Sequence, residues 1–134
     1  IGGTVGVPLP GVAVRTVNDD GSLCQGGEIG HVQVRGPNVF SGYWRMPEKT
    51  AEEFTADGFF RTGDVGHFCG SGKPDSYLTL VGRSKDLIIS GGYNVYPKEI
   101  ESYIDEMPGI DESAVIGLPH ADFGEAVAAV VVAR

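Results

Sequence analysis

Cysteine, concentrated positive charge and long apolar runs are all scarce in this chain, and each shortage removes a class of function. Two cysteines, Cys24 and Cys69, are too few and too isolated for a disulfide framework or a zinc site. They read as unpaired thiols of a reducing cytoplasm. Lys and Arg number 10 against 18 Asp and Glu, a formal charge of −8. The basic residues form no cluster, which argues against a nucleic-acid groove or an anionic membrane surface as partner. No apolar run approaches the roughly 20 residues of a spanning helix, and no leader peptide is recognisable. No Gly-rich loop of the Walker type is present, so a phosphate cradle is expected outside this stretch. His31, His67 and His120 are scattered without ligand spacing, and no metal site is expected.

What is plentiful is glycine, 21 of 134 residues without a collagen-like period, which implies many tight turns and short strands. Hydrophobic residues make up 41%, enough for a modest core. The chain opens on Ile1 and closes on an apolar run ending at Arg134, so both ends read as cut.

The first part alternates and turns. Val12 to Val17 and Ile29 to Arg35 read as strands joined through turns at Asn18–Gly21 and Gly26–Gly27. Pro47 to Phe54 reads as a short helix, with Pro47 in the tolerated first turn and Glu48 at the N-terminus. Phe59 to Thr62 is expected to be a short strand leading into Gly63-Asp64, and Tyr77 to Val81 another. Near Gly82 the pattern changes. Leu87 to Ile89 is a short apolar strand broken at Ser90-Gly91-Gly92. Pro97 to Met107 is the best helix, with Ile100, Tyr103, Ile104 and Met107 on one stripe. Ser113 to Leu118 and Ala126 to Ala133 are two further strands, joined by the turn Pro119 to Gly124.

The expected fold class is α+β. A small antiparallel β subdomain, residues 1–82, would precede a truncated β-α-β-β subdomain, residues 83–134. No Ser/Pro-rich linker separates them, so a short hinge near 82–86 is expected.

Two stretches can carry chemistry. In Phe60-Arg61-Thr62-Gly63-Asp64, a strand would end on a carboxylate beside a glycine that lets backbone approach a ligand. An ionised Asp accepts at two oxygens, which suits the paired hydroxyls of a ribose. In Gly82-Arg83-Ser84-Lys85-Asp86, Arg83 offers a planar fork of donors. Lys85 and Asp86 sit where a chain rotation would be absorbed. Gly91-Gly92 leaves bare backbone for a narrow ligand. Taken singly, each is better explained by a turn cap, a surface ion pair or an ordinary turn. Their joint order is more specific.

That order is Gly27-Glu28-Ile29-Gly30, Gly42-Tyr43-Trp44 with Pro47-Glu48-Lys49-Thr50, Asp57 to Asp64, Gly82 to Asp86, and Gly91 to Glu101. Over nearly the whole chain it resembles the adenylate-forming superfamily of acyl-CoA synthetases, peptide-synthetase adenylation domains and luciferases. Gly36 to Phe40, Asn94 to Ser102, and Ser113 to Gly117 with Pro119 to Glu125 are most similar to malonyl-CoA synthetases. Between Asp64 and Gly82 the segment Gly66 to Leu78 is a few residues longer than that pattern, an inexpensive change for a loop.

The resemblance implies a two-step ligase, in which a carboxylate (malonate here) becomes acyl-AMP at the expense of ATP with Mg2+, and CoA then displaces AMP. By position it implies that Asp64 and Arg83 bind ATP or AMP, that Lys85 is the hinge, and that Gly91, Gly92 and Asn94 line the path of CoA pantetheine. It places the phosphate loop and the magnesium segment upstream, and the catalytic lysine beyond Arg134. Neither Lys73 nor Lys98 takes that role, so no catalytic residue is expected within the chain, and this piece alone is expected to be inactive. A carrier-protein-loading adenylation domain, a luciferase-like oxidase, and a folded fragment that forms a homo-oligomer stay open.

Overall fold

The computed structural model describes residues 4–69 and 77–134. The chain divides into two compact units, Ile1–Leu80 and Val81–Arg134. Lys73 and most of the lengthened loop after Gly66 lie outside the described residues.

In the first unit, β1 (Ala13–Val17), β2 (Gly30–Arg35) and β3 (Phe60–Cys69) form a meander that β4 (Tyr77–Arg83) completes, in the order β1-β2-β3-β4. The β1–β2 and β2–β3 pairs are antiparallel. The edge at β4 is bridged by the chain start, where the Val5 and Leu78 N–H groups donate to Leu78 and Gly6 carbonyls, each at 2.9 Å. Val17, Val32, Phe59, Val65 and Leu78 form the core. In the β1–β2 ladder Val17 stands opposite His31 and Val32 opposite Thr16, so the buried residues lie on both faces of the sheet.

Helix α1 (Pro47–Glu53) has Pro at its start and Glu48 in its first turn, as the sequence predicts. Thr50 fastens it to the preceding loop: its hydroxyl donates to the Met46 carbonyl and accepts the Tyr43 N–H, both at 2.9 Å. Phe40, Tyr43, Phe54 and Phe60 pack around it, Phe40 meeting the other three rings edge-on at 5.0–5.8 Å between centroids. Such pairs add about 0.5–1.5 kcal/mol each beyond area burial.

In the second unit, β5 (Ile88–Ser90), β6 (Tyr93–Val95), β7 (Ile110–His120) and β8 (Gly124–Ala133) form a sheet of order β6-β5-β8-β7, with α2 (Pro97–Asp105) between β6 and β7. The α+β class stands. The helix and its two following strands fall where the sequence places them, and the chain adds the short strand β6. Ser90 and Tyr93 pair across Gly91 (φ 57) and Gly92 (φ 83), a two-residue hairpin with positive φ at both central positions. Glycine carries that turn at no steric cost, which is why the break after β5 becomes a hairpin. Helix α2 lies on β7 and is tied to it by Glu101, whose carboxylate accepts the Val115 N–H at 2.9 Å. Only half of its expected apolar stripe is covered. Ile100 and Ile104 are half-buried, whereas Tyr103 and Met107 are exposed.

Candidate functional site

Asp64 does not end a strand. It lies inside β3, which continues to Cys69, because the ladder with β2 reopens around it. On β2, His31 and Gln33 are two residues apart, yet their β3 partners, Val65 and Arg61, are four apart. The excess is taken up by an arc at Thr62-Gly63-Asp64, with Gly63 at φ 77. Thr62 replaces the missing rungs. Its hydroxyl donates to the Val32 carbonyl and accepts the Asp64 N–H, both at 3.0 Å. A bulge of this kind re-aims the side chain that follows it. Thr62, Gly63 and Asp64 are all half-buried. Thr62 is the residue that reading the sequence overlooked here. A hydroxyl immediately before Gly-Asp in a strand was the available signal, since such a residue can cap an irregular backbone.

In the same unit Phe59, buried, meets two guanidinium groups, with Arg15 at 3.8 Å and Arg35 at 4.6 Å from the ring centroid. Arg15 also makes a two-pronged contact with Asp57 at 2.7 and 3.1 Å, and its Nε–H donates to the side-chain Oε1 of Gln33 at 2.8 Å. The hydrogen bond from Arg15, helped by one from Thr55, lowers the Asp57 pKa to about 2. This cluster braces the turn that delivers β3. Cys24 is half-buried, and that burial pushes its thiol pKa up, the direction of an inert thiol.

In the second unit, Arg83 is the last residue of β4, exposed, and Lys85 sits in the 3-10 turn Ser84–Asp86 that follows. Both border a cavity of about 460 Å³ whose wall also includes Asp86, Tyr96, Lys98 and Glu101. Arg83, Lys85 and Lys98 share that wall with three carboxylates, Asp86, Glu101 and Glu125, so its charges balance. Lys98 is held near Glu101 at 3.5 Å. Gly91, Gly92 and Asn94 are brought together elsewhere, on the exposed β5–β6 hairpin. Thus Arg83 joins Lys85, the two glycines join Asn94, and Asp64 stands on the bulge of the first unit. Among the described residues no group of three His, Cys, Asp or Glu side chains could hold a metal ion. No helix in the described residues is long and apolar enough to cross a membrane.

The chain belongs to the AMP-binding enzyme family. Residues 2–44 match the AMP-binding enzyme family, and residues 99–134 match the AMP-binding enzyme C-terminal domain. ATP-bound MatB from Rhodopseudomonas palustris is 59% identical and superposes with a TM-score of 0.91, over 98% of this chain and 26% of that one. A malonate–CoA ligase of Arabidopsis thaliana is 42% identical over 98% of this chain and 21% of its own length. An indoleacetate–CoA ligase of Aromatoleum aromaticum is 46% identical over 97% of this chain and 24% of its own length. The chain thus spans about a quarter or less of the relatives it matches.

Proposed function

We propose that this chain is the nucleotide-side and hinge segment of an ATP-dependent acyl-CoA synthetase whose acid is malonate. The observation that carries the reading is the bulge at Thr62-Gly63-Asp64. Interrupting a ladder in mid-sheet forfeits pairing, and a bulge next to a carboxylate is a recurrent device for aiming a functional side chain. The likeness to an ATP-bound enzyme over 98% of the chain supports it.

In the first step a carboxylate oxygen of the acid attacks the α-phosphorus of ATP, and the bond to pyrophosphate breaks. In the second the CoA sulfur attacks the acyl carbon, and AMP leaves with the electron pair. An anion attacks an anion in the first step, so oriented positive groups are required. Asp64 accepts hydrogen bonds from the ribose hydroxyls, and Arg83 donates to the nucleotide. Lys85 is the hinge residue, in a tight turn where a few dihedrals can absorb a rotation. Gly91, Gly92 and Asn94 bound the pantetheine path. Magnesium accompanies ATP in this proposal, but no residue here is assigned to it and no step is routed through it. The two free cysteines, Cys24 and Cys69, support a cytoplasmic, reducing setting.

Malonate is supported by the phrases shared with malonyl-CoA synthetases and by the 42% identical malonate–CoA ligase. A panel of carboxylates offered to the full-length enzyme tests it: malonate is expected to give the highest kcat/KM. A preference for an aryl acid would refute that choice and leave the ligase chemistry standing. For the nucleotide role, Asp64→Ala in the full-length enzyme is expected to weaken ATP binding about 10-fold to 100-fold, the worth of a charged hydrogen bond or two. Isothermal titration of ATP measures it, and unchanged affinity would remove Asp64 from the nucleotide site.

A further inference from the structure

The β5–β6 hairpin is weakly joined to the rest of its unit. Its backbone register with β8 is the single pair Ser90 with Gly124. Beside it the Gly91 N–H donates to the Phe123 carbonyl at 2.9 Å. One further rung comes from a side chain. The Ile89 N–H donates to Oε2 of Glu125 at 2.8 Å, so a carboxylate stands where a strand carbonyl would ordinarily accept. Glu125 is on β8, opposite Pro119 of β7.

The route of that side chain is kept open by a neighbour. A Cβ placed on Gly117 of β7 would lie 2.5 Å from Oε1 of Glu125 and 3.2 Å from Cγ2 of Ile88. Gly117 has ordinary strand backbone, so its lack of a side chain answers to space and not to conformation. The carboxylate therefore lies over Gly117 with one oxygen and holds β5 with the other. The turn beneath is braced as well. Phe123 packs 3.4 Å from the Cβ position of Gly91 and stacks on His120 with centroids 4.9 Å apart, while His120 Nδ1 accepts the Asp122 N–H at 3.2 Å.

We infer that Glu125 is a positioning residue for thioester formation: through its bond to Ile89 it sets the place of the Gly91–Gly92 hairpin. The inference rests on the reading of that hairpin as the pantetheine path. A two-strand ribbon is marginal in water by itself. This one is anchored by buried Ile88, the Ser90–Gly124 pair and the Gly91–Phe123 bond, and the charge-assisted bond from Ile89 to Glu125 adds a further fixing point on the β8 side. Adenylation makes no demand on the hairpin, whereas passage of a narrow thiol arm past bare backbone does.

The test uses the full-length enzyme and follows the two half-reactions separately, pyrophosphate exchange for adenylation and CoA consumption for thioester formation. Glu125→Ala is expected to slow thioester formation about 10-fold to 100-fold relative to adenylation, the scale of an Å-sized misplacement, and to raise the KM for CoA. Gly117→Ala retains the carboxylate but displaces it, and is expected to give the same split. There the flexible end of Glu125 must move and Cγ2 of Ile88 must give by a few tenths of an ångström, a smaller disturbance than a clash with backbone, and circular dichroism of each variant checks that it folds. Glu125→Gln keeps an acceptor oxygen and is expected to restore most of the rate. Equal loss in both half-reactions, or no loss in either, overturns the role of Glu125. If the wild-type enzyme exchanges pyrophosphate yet makes no acyl-CoA, the ligase reading itself fails.

Discussion

At the scale of single residues, the chain repeatedly uses a side chain to do a backbone's work. Thr62 completes the interrupted ladder, Glu101 accepts from Val115, and Glu125 accepts from Ile89. Each lets an irregular segment be buried or fixed without orphaning a peptide group. Asp57 shows the same economy with charge. Its carboxyl is held at about 2, against 3.8 for a free group, first by the Arg15 hydrogen bond and then by Thr55. A lowered folded-state value means the ionised form favours the fold. That stabilisation is complete above pH 3.8 and is lost as the pH falls towards 2. Acid titration of the first unit, followed by tryptophan fluorescence or circular dichroism, is expected to show stability falling in this window. In Asp57→Asn that slope flattens, and stability at neutral pH is lower than in wild type. An unchanged acid limb would mean that Asp57 is not linked to folding.

At the scale of elements, β3 and β4 approach closely at one point. A Cβ on Gly66 would fall 2.4 Å from the backbone carbonyl oxygen of Thr79. A backbone atom cannot swing aside as a side chain can, so the strands must separate locally. Gly66→Ala is expected to destabilise the first unit by about 1–3 kcal/mol, the usual cost of overpacking. Urea unfolding measures this as a lower midpoint at constant slope, and an unshifted midpoint contradicts the close approach. The contrast with Gly117 is instructive. There the nearest obstructing atoms are side-chain atoms, the Glu125 carboxylate and Cγ2 of Ile88, so the same substitution displaces side chains before backbone.

At the scale of the whole molecule, the second unit has an apolar surface larger than its own elements cover. On one face of the β7–β8 pair Ile116, Leu118, Val130 and Val132 are 44–59% exposed, and β7 is a long edge strand. Contiguous exposed apolar surface with an open edge favours association. The isolated 134-residue polypeptide is therefore expected to self-associate, with a sedimentation coefficient that rises with concentration. Val130→Lys should reduce that rise. A single monomeric boundary at high concentration would falsify the expectation.

Much of this was open to reading before any coordinates. The strand alternation, the proline-led helices and the glycine turns are local, and local chemistry decides them. The ordered motifs put forward Asp64, Arg83, Lys85 and Gly91-Gly92 as candidates, because they recur as specific residue types at fixed spacing. Three features depended on tertiary structure. The bulge at Asp64 depends on how β2 registers against β3, and one strand's sequence does not state its partner. The Phe59 cluster joins residues from β1, β2 and the turn before β3. The Glu125–Ile89 bond spans 36 positions, and only the sheet order β6-β5-β8-β7 brings its ends together. The sequence by itself determined the family and the elements, because those follow from local pattern. Where its carboxylates point was decided by pairing between strands distant in the chain.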